Sequence, residues 1–235
     1  NNKKYDLLSF EFLSIRYLKK ITRSGSNYKV AFVNDPCPKL ICFLKSLGIK
    51  VILDVPIAPT SYVKKLHDRQ EAPFLIYHHD LDQYERQSFK LADWIIVPSR
   101  FVFDELKRID VDIKKISVIE FGVESYQNEL FMPTANDIKK GIDFCFFGNI
   151  SPRKGVLELL KAWNCSELTS SRLHLCGRLY PEISHILESQ RFENVITPGF
   201  VNPKEYANNF EVYVFPSWSE GSSKSIYEAM ALGMA

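Results

Sequence analysis

Two carboxylates, Glu220 and Glu228, stand eight residues apart in "SWSEGSSKSIYEAMALGMA", the stretch from Ser217 to Ala235. Gly221, Ser222 and Ser223 follow the first glutamate directly. The apolar run "VYVFPS" just before them predicts a strand. Ser222 or Ser223 then suits the N-cap of a helix over about 223–232, with Gly233 as its C′ residue. Glu220 falls in the loop at the strand's mouth, Glu228 about one turn inside the helix, and Ile226 and Met230 face inward. Ionised carboxylates are strong acceptors for hydroxyls. A helix start fringed by small residues lets an anion reach backbone amides. The segment therefore sets one carboxylate at a strand's mouth and the other on a helix wall. Plainer readings stand beside this one. Ser225-x-x-Glu228 is a capping-box pattern, and Glu220 favours the positive end of a helix.

A second charged segment follows the run "DFCFF": Gly148-Asn149-Ile150-Ser151-Pro152-Arg153-Lys154-Gly155. Gly148 keeps the strand exit open, and Arg153 and Lys154 bring full positive charge to the entry of a helix. That combination fits a diphosphate; solvated turn cations are the alternative.

These segments need a scaffold, and the chain offers a rhythm of short β-branched runs alternating with helical patterns. The strand-like runs are "YDLLSF", "YKVAFV", "IKVILDV", the weaker "FLIY", "DWIIVPS", "KISVIEF", "IDFCFFGN", "RLHLCG", "NVITPGF" and "VYVFPS". Helical patterns such as "CPKLICFLKSLG", "RFVFDELKRI" and "GVLELLKAW" lie between them. In the last of these, Val156, Leu159, Leu160 and Trp163 share a face. Near-continuous apolar strands separated by helices indicate parallel sheets covered on both faces. The polar stretch after Gly122 breaks the rhythm. The expected organisation is an α/β protein of two Rossmann-like domains: 1–124, a linker at 125–139, and 140–235.

Bulk properties exclude several classes. A net charge of +2 gives no basic face for nucleic acid. No apolar run reaches the roughly 20 residues that span a bilayer. Five cysteines with no CxxC spacing give neither a zinc site nor a disulfide framework and point to a reducing compartment. Asp80-Leu81-Asp82, beside His78 and His79, has the spacing of a metal-holding pair, but it opens a helical pattern where Asp is at home. No metal is expected. On "FLSIRYLKKITR", Arg16, Lys19, Lys20 and Arg23 share one helical face, either solvated or docked on anionic lipid at a membrane's inner surface.

In order and wording, "GNISPRKG", "LHLCG", "VITPGFV" and "VYVFPSWSEGSSKSIYEAMALG" resemble family-4 retaining glycosyltransferases (glycosyl transferases group 1), which have the GT-B fold. The segments "LADWIIVPSRFVFDELKR", "KISVIEFGVE" and "FMP" resemble the end of their acceptor domain. The likeness is strong over about 85–235 and weak over 28–84. It implies a cytoplasmic hexosyltransferase-type enzyme, active in polysaccharide or glycan biosynthesis, that moves a sugar from a UDP- or GDP-type donor to a glycan or lipid-linked acceptor hydroxyl. Retention of configuration and independence from metal and cofactor are implied too. Glu228 would hold the ribose and Glu220 the transferred sugar. Lys154 and Arg153 would neutralise the diphosphate, and Gly148, Asn149 and the amides of Gly221, Ser222 and Ser223 would complete the donor site. The chain departs from the pattern in three places. Asn149 stands where many relatives have Arg, Ser222-Ser223 where many have Phe-Gly, and "PIAPTS" lacks the acceptor-side histidine, leaving His78 and His79 as candidates. The resemblance also implies a fragment, beginning after a glycine-rich loop and stopping one strand and one helix early. A non-catalytic nucleotide-sugar or glycan-binding module and a sugar-nucleotide epimerase are the alternatives.

Overall fold

Short β-branched runs become parallel strands when the helix after each can lie back across the sheet. A computed structural model describes residues 2–22, 28–72, 74–75, 77–124, 141–206 and 210–235. The chain divides into two compact units, Asn1–Glu120 and Phe121–Ala235. The linker expected at 125–139 lies outside the described residues.

The first unit runs α1 (Asn2–Thr22), β1 (Val30–Asn34), α2 (Pro38–Ser46), β2 (Lys50–Asp54), α3 (Thr60–Asp68), α4 (His79–Leu91), β3 (Trp94–Val97), α5 (Arg100–Arg108) and β4 (Ile116–Val118). Its strands are parallel and lie in chain order, β1-β2-β3-β4. Right-handed crossovers that always step the same way place their helices on one face. From that face Val33, Leu53, Ile95 and Ile116 join one core with Leu40, Ile41 and Leu44 of α2, Phe89 of α4 and Leu106 of α5. On the opposite face Val30, Phe32 and Trp94 are exposed, Phe32 by 61%.

The run "YDLLSF", expected as a strand, instead belongs to α1. Tertiary contacts with a four-residue spacing decide this. Leu7 and Glu11 are both buried, and Ile15 and Leu18 pack on the same core. The Glu11 carboxylate accepts from the amides of Lys39 (2.8 Å) and Leu40 (3.2 Å), and from the Tyr84 hydroxyl. It thus caps α2, whose own N-cap residue, Cys37, makes no side-chain cap. The described residues of "FLIY", Phe74, Leu75 and Tyr77, form no strand.

The second unit runs β5 (Asp143–Phe147), α6 (Val156–Asn164), β6 (Arg172–Cys176), α7 (Pro181–Ser189), β7 (Val195–Gly199), α8 (Pro203–Tyr206), β8 (Val212–Tyr213) and α9 (Lys224–Ala231). Its parallel sheet has the order β7-β6-β5-β8. The chain steps outward to β7 and then returns to the far side of β5, so helices cover both faces. Phe146, Leu173 and Leu175 pack with Val156, Leu160 and Trp163 of α6 and Ile183 of α7. The alternate residues Cys145, Phe147 and Cys176 pack with Phe210, Met234, and Ala229 and Leu232 around α9.

Candidate active site

Where strand order reverses in an open parallel sheet, adjacent connections part to opposite faces and leave a crevice at the strands' carboxyl ends. In the second unit this happens between β5 and β8. A cleft of about 590 Å³ opens there, lined among others by Gly148, Asn149, Arg153, Lys154, Glu220 and Glu228.

Backbone geometry brings the charged groups together. After β5 the chain makes a single 3-10 turn, Pro152–Lys154, that ends on Gly155. Gly155 has φ +71°, and a Cβ there would lie 1.9 Å from the Pro216 carbonyl oxygen. Only glycine allows this approach, which seats the turn against the segment leading to Glu220. The Trp218 amide then donates to the Arg153 carbonyl (3.1 Å).

Arg153 donates from Nη1 to Glu220 Oε1 (2.8 Å) and to the Ser219 carbonyl (2.6 Å). Lys154 Nζ lies 2.6 Å from the same carboxylate oxygen, and the Ser217 hydroxyl donates to it at 3.0 Å. Burial pushes the Glu220 carboxyl up, but Lys154, Arg153 and Ser217 outweigh burial and hold it below its ordinary range. Lys154 is itself largely covered and lies 5.5 Å from the centroid of the Phe215 ring. These are packed, paired side chains and not solvated turn cations.

Ser223 is the N-cap residue of α9, and Gly233 takes φ +80° past its end, as the sequence predicts. The capping box expected from Ser225 and Glu228 does not form, because Ser225 lies inside the helix, past its N-cap. The Ser225 hydroxyl accepts from the Tyr213 hydroxyl (2.7 Å) and pairs with that of Ser223 (2.8 Å). Ser222 pairs with the Tyr227 hydroxyl (2.9 Å). Ser222, Ser223 and Glu228 line the cleft, whereas Gly221 is buried beside Glu220. One orientation differs from expectation. Met230 is 67% exposed, and Ala229 and Leu232 carry the inward face. Consecutive helical positions are about 100° apart, so packing on Ala229 turns Met230 to solvent.

The structure adds cleft residues that motif reading missed: Arg178 after β6, Phe200 and Val201 after β7, and Lys224 at the start of α9. The signal was present. The strand-end rule, applied to "LHLCG" and "VITPGF" as well as to the two charged segments, points to all but the lysine.

The other candidates lie in the first unit. Asp80 and Asp82 sit in the first turn of α4, as the helix-start reading predicts. Asp82 is buried and accepts from Arg86 (3.0 Å) and the Tyr77 hydroxyl (3.5 Å). No group of three or more His, Cys, Asp or Glu able to hold a metal occurs among the described residues. His78 precedes α4 as its N-cap residue, and His79 pairs with Gln83 (2.9 Å). Arg16, Lys19 and Lys20 are exposed on α1, and Arg23 lies outside the described residues. No described helix is long and apolar enough to cross a membrane. All five cysteines are free; Cys37, Cys145 and Cys176 are buried, and burial raises each thiol's pKa.

Two parallel sheets flanked by helices, with a crevice at a strand-order reversal, define a GT-B fold. Residues 141–235, which lie in the second unit, match the family Glycosyl transferases group 1. Anabaena HepE in complex with UDP is similar in structure, with a TM-score of 0.66 and 16% identity over 92% of this chain and 61% of that one. The lipopolysaccharide outer core galactosyltransferase WaaB gives 0.65 and 16%, over 99% and 60%. The catalytic domain of starch synthase IV from Arabidopsis thaliana, bound to ADP and acarbose, gives 0.62 and 11%, over 96% and 58%. No curated protein matches the sequence. The chain spans about three fifths of the length of these structures.

Proposed function

We propose that the protein transfers a hexose or related sugar from a nucleoside diphosphate sugar to an acceptor hydroxyl, with retention of anomeric configuration and without a divalent metal. The observation that carries this reading is the contact of Arg153 and Lys154 with Glu220, in one cleft with Glu228 at the strand-order reversal. Glu220 meets the hydroxyls of the transferred sugar, and Glu228 accepts from the ribose. Arg153 and Lys154 neutralise the diphosphate as it leaves, helped by the amides at the start of α9. Fixed cations placed where charge develops supply the stabilisation that a metal ion gives elsewhere. UDP in the HepE structure and ADP in the starch synthase support a nucleoside diphosphate as the leaving group.

The first unit serves the acceptor, a glycan or lipid-linked hydroxyl. In this reading the enzyme works on the cytoplasmic side, where thiols stay reduced. α1 touches the inner membrane face through Arg16, Lys19 and Lys20, beside exposed Phe12, Leu13 and Tyr17.

The test is a screen of UDP-, GDP- and ADP-sugars for nucleotide release with EDTA present, followed by NMR of the product's anomeric proton. Release in EDTA with the donor's configuration kept is the expected result. Inversion, or a strict need for metal, overturns the mechanism. Nucleotide binding with no release from any donor makes the protein a binding module.

A further inference from the structure

We infer that Arg178 is a further cation on the diphosphate, supplied from the neighbouring strand end; this rests on the nucleoside diphosphate reading above. Charge balance in the cleft motivates it. Arg153 and Lys154 both converge on the one carboxylate of Glu220, so this trio offers a single net positive charge. Glu228 adds a negative charge to the same cleft. A diphosphate diester bears a negative charge on each phosphate, and the departing nucleoside diphosphate gains one more. The trio alone leaves that anion under-neutralised.

Two cleft-lining cations, Arg178 and Lys224, form no ion pair among the described residues. Lys224 opens α9 and lies 5.9 Å from the centroid of the Phe121 ring. Arg178 stands at a strand end, immediately beside the diphosphate segment. Its carbonyl accepts from the Ile150 amide (2.8 Å), and the Gly148 amide donates to the Cys176 carbonyl (2.9 Å). A Cβ on Gly177 would lie 1.9 Å from the Gly148 carbonyl oxygen. The exits Gly148-Asn149 and Gly177-Arg178 therefore run side by side with no side chain between them. Position 149 carries a neutral amide, and the next strand over carries the guanidinium. Arg178 rests over the Tyr180 ring at 5.5 Å from its centroid. Such an exposed cation–π contact is weak and leaves the planar fork free to take two phosphate oxygens.

Calorimetric titration of the full chain with UDP, GDP and ADP, and with the matching nucleosides, tests this. For whichever diphosphate binds, Arg178→Ala should weaken affinity by about 10- to 100-fold, with a shallower salt dependence and unchanged nucleoside affinity. Adding Asn149→Arg to Arg178→Ala should restore most of the loss, which a merely structural role would not allow. Arg178→Lys should fall between, and the unliganded melting temperature should stay put because the side chain is exposed. Wild-type affinity in Arg178→Ala would overturn the assignment while leaving the donor reading intact. So would an equal loss for nucleoside and diphosphate, which would make Arg178 a base contact. If the wild-type chain bound none of the three diphosphates, the donor reading would fall, and this inference with it.

Discussion

The two sheets of this chain are built from the same parts and differ in one step. In the first unit every strand lies beyond its predecessor; in the second, β8 returns to the far side of β5. Stepping one way gives a single core and leaves Val30, Phe32 and Trp94 exposed on the other face. Returning gives two cores, one on each face. It also sends α6 and α9 to opposite faces and leaves a cleft at the strands' carboxyl ends, lined by Arg153, Lys154, Glu220 and Glu228. The crevice is a product of strand order.

That contrast can be broken by mutation. The largest effect is expected where the same residue type is covered in one sheet and bare in the other. Phe146 is fully buried, so Phe146→Ala should cost about 3–5 kcal/mol in urea unfolding. Phe32→Ala should stay within about 0.5 kcal/mol. A comparable cost at Phe32 would mean that its face is packed in solution.

Next come the glycines. A methyl group at Gly177 meets the Gly148 carbonyl oxygen, whereas at Gly48 (φ +76°) it meets open space. Gly177→Ala should cost roughly 3 kcal/mol or more and abolish nucleotide binding. Gly48→Ala should cost about 1 kcal/mol, the backbone strain alone. Both are read by denaturant melts, with nucleotide titration as the second readout for Gly177→Ala.

Strand-end carboxylates sharpen the comparison at the level of chemistry. Glu220→Gln should lower turnover by about 100-fold, a loss of some 2.7 kcal/mol in transition-state stabilisation. Nucleotide affinity should hold or tighten a few-fold, because Arg153 and Lys154 lose the carboxylate that neutralises them. Glu228→Gln should instead weaken nucleotide binding first, by about tenfold. Identical behaviour of the two variants would dissolve the division of roles.

The smallest effects are those on stability against pH. Glu220 has a depressed folded pKa, so its contribution is fully present above the ordinary carboxylate range, near pH 4.3. It is lost as pH falls through the lower folded value. Asp54, at the end of β2, has its pKa raised by burial and by Asp35. Its ionised form is therefore disfavoured in the fold. Asp54→Asn should raise the melting midpoint at pH 7 by about 2 °C and have no effect well below pH 4. Calorimetry across pH 3–8 would check both signs.

Much of this architecture was legible from local pattern. The runs "KVILD", "DFCFF" and "RLHLC" are strands because β-branched and aromatic side chains pack well on a pleated, partly buried surface, and "VAFVN" is one although only Val33 of it is buried. α9 was legible from Ser223 and Gly233, whose roles are set by one or two backbone angles. "YDLLSF" was not, because its helix depends on Glu11 capping a helix 28 positions away in sequence. Met230 was misjudged because the spacing of apolar residues does not say which of two adjacent stripes meets the sheet.

Within the site, residue chemistry and local geometry followed from the sequence: two carboxylates at a strand mouth and a helix wall, and two cations beside a glycine. Local propensity and side-chain polarity act over a few residues and need no partner. Only the tertiary structure decided that Arg153 and Lys154 share the Glu220 carboxylate across 67 and 66 positions of sequence. It alone brought the exits at Asn149 and Arg178 alongside each other and left the site on the second sheet. Those relations come from strand order and close backbone approach at Gly155 and Gly177, which are long-range packing outcomes that no short window of sequence contains.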